Sequence, residues 1–316
     1  MPREHDLIAG VFARFAAQEG AFDLRDDAAR LDGWTITVDQ IIEGVHFRTE
    51  DPIETIARKL VRRNVSDLIA KGAQPRHGLL SLAWPETRPV VQLEAFGTAL
   101  GEDLAGYGAD LLGGDTAKSP EHLSASLTLI GHAPRFVPRA GLTLGEPVFV
   151  TGVIGDAGLG LIAAQGGLEA LSAAHRQALI AAYQTPAPPP AAFSGLIQRY
   201  ANASIDVSDG LLLDASRLSS TQHDASVDID LARLLLSDPA TAWVDQQNAP
   251  HAARRHLATL GDDYQCLFSV SEADVAAMQA EAQALDVQVT QIGAVVEGTR
   301  LQEPAQGFSH DFGQSV

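Results

Sequence analysis

The sequence predicts an α+β protein of two domains, and three observations carry that prediction. A chain of 316 residues is long enough for two domains. Strand-like alternation and helical spacing both recur along it. Near the middle, Ala133-Pro134-Arg135-Phe136-Val137-Pro138 makes a joint, which places the boundary after Val137 and the domains at 1–137 and 138–316.

In the first half a helix is expected over 7–17, and the acidic pair Asp26-Asp27 follows between apolar flanks. Residues 33–39 alternate β-formers and end on Asp39, so that acid sits at a strand end. His46, further along, reads by itself as a structural histidine. Over 53–70 the residues Ile53, Ile56, Ala57, Leu60 and Val61 share one helical face, and Gly72 stops the helix. Asp67 lies among Val65, Leu68 and Ile69, where a charge needs a partner. A strand over 78–83 and a helix over 91–107 lead to Ala109-Asp110-Leu111-Leu112-Gly113-Gly114-Asp115-Thr116, a strand ending in two glycines and an acid. Paired glycines let backbone amides approach a phosphate closely, or simply make a tight turn. A strand over 123–132 closes this half.

The second half opens with a strand over 147–151 and a glycine-rich segment that lacks dinucleotide-binding spacing. Helices cover much of 161–183, prolines stiffen 186–190, and helix returns over 192–199. The stretch Ser204-Ile205-Asp206-Val207-Ser208-Asp209-Gly210 then reads as a strand running into a turn and a helix start, with Asp206 and Ser208 on one side of the strand. Carboxylates about 4 Å apart repel by roughly 4 kcal/mol at an effective dielectric near 20, so such a cluster needs a cation or donors; an N-cap with a solvated loop is the plainer alternative. Residues 226–230 alternate like a strand with a wet face. Gly261-Asp262-Asp263-Tyr264 is an acidic turn from which Asp262 could face a cleft, and a helix over 272–285 and a strand over 287–295 precede a tail containing Phe308.

A net charge of −18 excludes nonspecific nucleic-acid binding, which needs Lys and Arg on phosphates. No segment approaches a membrane span, and no secretory signal opens the chain, so a cytoplasmic location is expected. The single cysteine, Cys266, lies in an apolar run and reads as a buried thiol. Phosphate-loop, kinase-loop, nucleophile-elbow and zinc-protease motifs are absent. What recurs is acid at element ends: Asp27, Asp39, Asp67, Asp115, Asp206 and Asp209.

In order, Asp26-Asp27-Ala28, Thr37-Val38-Asp39, Asn64-Val65-Ser66-Asp67-Leu68, Gly113-Gly114-Asp115-Thr116, Ile205-Asp206-Val207-Ser208-Asp209-Gly210 and Gly261-Asp262-Asp263-Tyr264 resemble the motif series of the thiamine-monophosphate kinases. These belong to the superfamily named for aminoimidazole ribonucleotide synthetase. The resemblance spans nearly the whole chain and implies that fold, with the N-terminal sheet forming a barrel across a homodimer. It implies ATP-dependent phosphorylation of thiamine monophosphate to thiamine diphosphate by direct in-line transfer. It also implies several magnesium ions held by Asp27, Thr37, Asp39, Asp67, Asp115, Asp206 and Asp209, with Asp67, Asp115 and Asp209 as the catalytic acids. Gly114, Asp115, Arg139 and Ser208 would contact ATP, and His46, Asp262 and Phe308 the thiamine phosphate. No nucleic-acid or membrane partner is implied. The chain departs from the family at Arg25, where glycine is usual, at Val38, which replaces a hydroxyl residue, at Asp262, which shortens a Glu, and at Ser309 and Asp311 in the tail. No main carboxylate is lost. The alternatives are another ATP-using enzyme of the superfamily and a catalytically silent magnesium–nucleotide module.

Overall fold

The structure, a computed structural model, describes residues 7–220, 224–298 and 307–308. Ser309 and Asp311 lie outside the described residues. Strands β1 (Ala29–Leu31), β2 (Trp34–Ile42), β3 (Gln74–Pro85), β4 (Asp110–Ser119) and β5 (Ser124–His132) form one sheet in the order β1-β2-β5-β3-β4. Its pairs are antiparallel except β3–β4, which are parallel and therefore need a crossover, supplied by helix α2 (Val90–Gly106). The long helix α1 (Ile53–Ala70) connects β2 to β3 and packs on β2 and β5.

The second sheet is antiparallel throughout, with β6 (Pro147–Thr151), β7 (Ala201–Val207), β8 (Ala225–Ile229), β9 (Gln265–Val270) and β10 (Val289–Glu297) in the order β7-β9-β6-β10-β8. Around it lie α3 (Asp156–Ala164), α4 (Ala173–Gln184), α5 (Phe193–Tyr200), α6 (Leu211–Ser220), α7 (Asp238–Asp245), α8 (Pro250–Leu257) and α9 (Val275–Ala284). No helix among the described residues is long and apolar enough to cross a membrane.

What organises both halves is α1. Its apolar stripe faces the first sheet, while its opposite side meets α5, β7 and β9, so the helix is buried nearly all round. The largest core runs from Ile41, Leu127 and Leu129 through Leu60, Val65 and Leu68 to Phe193 and Phe268 without a break. Burial on every side explains why the polar residues of this helix must find partners inside the protein.

Three expectations change. Residues 7–17 form a short π-helix (Ile8–Phe12) and a 3₁₀ turn (Ala13–Phe15) instead of an α-helix; none of those residues is buried, so no packed face holds a regular helix. β4 does not end at its glycines but continues to Ser119, because Gly113 and Gly114 sit in register with Leu79 and Leu80 of β3. A Cβ at Gly114 would lie 1.9 Å from the Leu80 carbonyl oxygen, so this glycine serves close strand approach. The stretch 272–285 starts as a 3₁₀ turn and becomes α9 only at Val275.

Candidate active site

Three carboxylates from distant parts of the chain converge. Asp27 comes from the turn before β1, Asp67 from the last turn of α1 and Asp206 from the end of β7, with oxygens all within 4.8 Å of one another. Among the described residues, two of the three have only hydroxyl partners. Thr37 on β2 donates to Asp67 Oδ2 at 2.5 Å, and Ser66 donates to Asp206 Oδ2 at 2.7 Å. Burial, then the charges of Asp206, Asp39 and Asp27, hold the Asp67 carboxyl well above the usual carboxylate range. Burial, then Asp27 and Asp214, do the same to Asp206.

Asp27 is different. Burial would raise its carboxyl too, but Arg139 and Lys71 outweigh it and hold the group below its ordinary value. Lys71 Nζ lies 2.6 Å from Asp27 Oδ2 and 2.7 Å from Asp26 Oδ1, and Arg139 Nε donates to Asp27 Oδ1 at 2.9 Å. The guanidinium expected on ATP phosphates is thus engaged with Asp27, and its Nη1 donates to the Arg25 carbonyl.

Around this centre, Asp39 on β2 donates its amide to Asn64 Oδ1 at 3.0 Å, and its carboxylate pairs with Arg63 at 3.3 Å. The turn after β7 is held by Asp214, whose Oδ2 accepts the amides of Ser208 and Asp209, both at 3.0 Å. Burial pushes the Asp214 carboxyl up to about 7 against the pull of Arg217, which also pairs with Asp209 at 2.6 Å. Gly210 completes the turn at φ +113°, where a Cβ would meet the Thr259 carbonyl oxygen at 2.8 Å.

Ser208 and Asp209 also form part of a cleft of about 380 Å³, whose wall includes His46, Arg63, Asp262, Tyr264 and Phe308. All three residues expected on thiamine phosphate therefore share one cavity. His46 Nδ1 accepts the Ile42 amide at 3.0 Å, and the Phe308 amide donates to the Asp209 carbonyl at 2.8 Å. Asp262 accepts from Lys59 Nζ at 2.6 Å and from the Tyr264 hydroxyl at 2.7 Å. Burial raises its carboxyl, yet Lys59 and Arg63 outweigh that and keep it low.

Two expected residues stand apart. Asp115 and Gly114 lie on β4, the far edge of the sheet, with β5 and β3 between them and the Thr37–Asp39 strand. At about 4.8 Å per strand the separation is roughly 14 Å, so a single chain does not bring Asp115 into the acid cluster.

The sequence reading missed Lys59, Arg63 and Lys71. With Asp67 they stand four residues apart along α1 and its C-cap, a charged row on a helix that is buried on most sides. Lysine in a helix ordinarily reads as solvated; the signal was the uninterrupted spacing on a buried element.

Comparison with known proteins follows the same line. The family model of AIR synthase related proteins, N-terminal domain, matches residues 25–133. Thiamine-monophosphate kinase of Caulobacter vibrioides is 38% identical over 305 residues, covering 94% of this chain and 85% of the relative. The Escherichia coli K12 enzyme of that name is 33% identical over 308 residues, covering 93% and 92%. The solved structure of AaThiL complexed with AMPPCP and TMP superposes with a TM-score of 0.83 at 31% identity, covering 98% of this chain and 97% of that one. With identity of this extent along nearly the full length of each partner, the chain belongs to the thiamine-monophosphate kinase family.

Proposed function

We propose that the protein transfers the γ-phosphoryl group of ATP to the phosphate of thiamine monophosphate, giving thiamine diphosphate. The observation that carries this is the junction at Ser208-Asp209, two residues that stand one position beyond Asp206 of the acid cluster, after Val207, and also wall the cleft. A relative of the same fold has been solved with AMPPCP and TMP together, which supports ATP as co-substrate and thiamine monophosphate as acceptor.

The acids suit a hard divalent ion. Asp67 and Asp206 are buried, raised in pKa and, among the described residues, partnered only by hydroxyls, an all-oxygen donor set of the kind magnesium prefers. We assign magnesium to Asp67 and Asp206 with Thr37, flanked by Asp39 and Asp209. When bound it would neutralise charge on the phosphates of both substrates. The acceptor oxygen is already anionic, so no side chain has to remove a proton before attack. The work left to the chain is positioning: Ser208 toward the nucleotide, and Asp262, His46 and Phe308 toward the acceptor, with Lys59 and Tyr264 fixing the Asp262 carboxylate. Arg139 can reach a phosphate only by sharing its hold on Asp27.

We further propose domains of 1–137 and 138–316, a cytoplasmic location and a homodimer closed through the outer face of the first sheet. Trp34, Val38, Leu79, Leu111 and Leu112 are all exposed in the single chain, and a second copy would cover them. Asp115 and Gly114, unused within their own chain, would then be offered across that interface.

Incubation with ATP, magnesium and thiamine monophosphate, followed by chromatography for thiamine diphosphate, tests the function. ATP turnover without thiamine diphosphate would instead indicate another small-molecule reaction of the superfamily, and binding without turnover a silent module.

A further inference from the structure

We propose that Lys71 is a resident cation of the acid cluster, filling the Asp26–Asp27 end so that no divalent ion is taken there. The inference rests on the reading of Asp67 and Asp206 as a magnesium site, and it removes Asp27 from the expected ligands.

Lys71 follows directly on α1 beside Gly72, whose φ of +73° turns the chain away, and its side chain is fully buried. An ammonium has three donors, and three oxygens lie around this one: Asp26 Oδ1 at 2.7 Å, Asp27 Oδ2 at 2.6 Å and the Ser204 carbonyl at 2.6 Å. Arg139 takes what is left. Its side chain donates to Asp27 Oδ1 at 2.9 Å and its backbone amide to Asp26 Oδ2 at 2.9 Å. Both carboxylates of the pair therefore face a cation, Asp27 Oδ2 through its ion-pair contact with Lys71 and without a hydrogen bond, and two negative charges meet two positive ones.

The other end is built differently. Among the described residues Asp67 and Asp206 receive hydroxyls and no ion pair, so each carboxylate, once ionised, calls for a cation. A cluster that looks uniform by composition is thus divided into a half neutralised by the chain itself and a half that must recruit an ion. A covalently held ammonium cannot dissociate, and its +1 matches a site whose second charge comes from Arg139. Replacing it with an uncharged side chain of similar length leaves two buried carboxylates against one guanidinium, a deficit that a divalent ion can fill.

The test is a titration of the full-length chain with Mn2+ alone, following the electron paramagnetic resonance signal of free ion. Lys71→Met is expected to bind one more Mn2+ per chain than the native protein, and Asp27→Asn in the native background to leave the native number unchanged. A folded Lys71→Met protein with the native number overturns the inference, and so does loss of one Mn2+ in Asp27→Asn. Should Lys71→Met fail to fold, Asp27→Asn decides the matter alone. If the native chain makes no thiamine diphosphate while Lys71→Met gains its ion, the kinase reading falls and the resident cation stands.

Discussion

Ser66 Oγ donates a 2.7 Å hydrogen bond to Asp206 Oδ2 across 140 positions of sequence, tying α1 to the end of β7. Both groups are buried, so removing the donor leaves a buried carboxylate without its partner. Ser66→Ala is expected to lower stability by about 1–3 kcal/mol in urea unfolding of the metal-free protein. A change within a few tenths of a kcal/mol would mean that the contact is incidental.

Asp67 gives a pH dependence with a definite sign. A carboxyl whose folded value lies above its unfolded one binds its proton more tightly in the folded state, so its contribution is full below the unfolded value near 4 and is lost as pH rises through the raised value. In EDTA the native chain should therefore lose more melting temperature between pH 5 and pH 8 than Asp67→Asn does. Magnesium should restore the native chain at pH 8 and do little for the variant, which should also lack turnover. Parallel pH profiles for the two proteins in EDTA would contradict this.

Lys59 and Asp262 have the opposite sign. The carboxyl of Asp262 is depressed, so its pairing stabilises the fold above the ordinary carboxylate value and is lost as pH falls through the folded one. Lys59 is buried, and it also donates to the His46 carbonyl at 3.0 Å and lies 4.2 Å from the centre of the Tyr183 ring. Lys59→Met should cost about 3 kcal/mol of stability and raise KM for thiamine monophosphate about tenfold while leaving KM for ATP nearly unchanged. Equal rises in both constants would show general damage.

Phe308 offers a half-exposed ring at the cleft mouth. Stacking and cation–π contact with a flat cationic ligand are worth roughly 0.5–2 kcal/mol, so Phe308→Ala should weaken thiamine monophosphate by about two- to thirtyfold and spare ATP. A loss shared equally by both substrates, together with a lower melting temperature, would make the ring a packing group.

The outer sheet face predicts assembly. Val38 is 62% exposed at the middle of β2. Light scattering at micromolar concentration should give twice the chain mass for the native protein and the single-chain mass for Val38→Glu. A monomeric native protein would leave that face unexplained.

Much of the fold was legible because local signals agreed. Ile53–Ala70 has the expected bounds, since a continuous apolar stripe ends where Gly72 imposes a left-handed turn, and Pro147–Thr151 is an apolar run that a sheet buries whole. Glycine was ambiguous: Gly113-Gly114 satisfies a turn and a close strand pair equally well, and only the neighbouring strand decides. Of the acids, Asp27, Asp67 and Asp206 do converge, whereas Asp115 does not, because strand order within a sheet is not written in the spacing of motifs. Lys59 stayed hidden for a related reason. Its partner Asp262 lies 203 positions away, and nothing local distinguishes it from a solvated lysine.

Lys59, Arg63, Asp67 and Lys71 mark one rod that serves the cleft at one end and the acids at the other. Steps of four residues advance about 400° around a helix, so the row winds slowly and each member reaches a different partner. Deleting a single residue between Arg63 and Asp67 would swing everything beyond it by about 100° and draw it back about 1.5 Å. No side-chain adjustment recovers both ends at once. Drift in length during descent, which the surface loops of this chain can absorb, is therefore closed to these 18 residues: they can change their letters, but not their count.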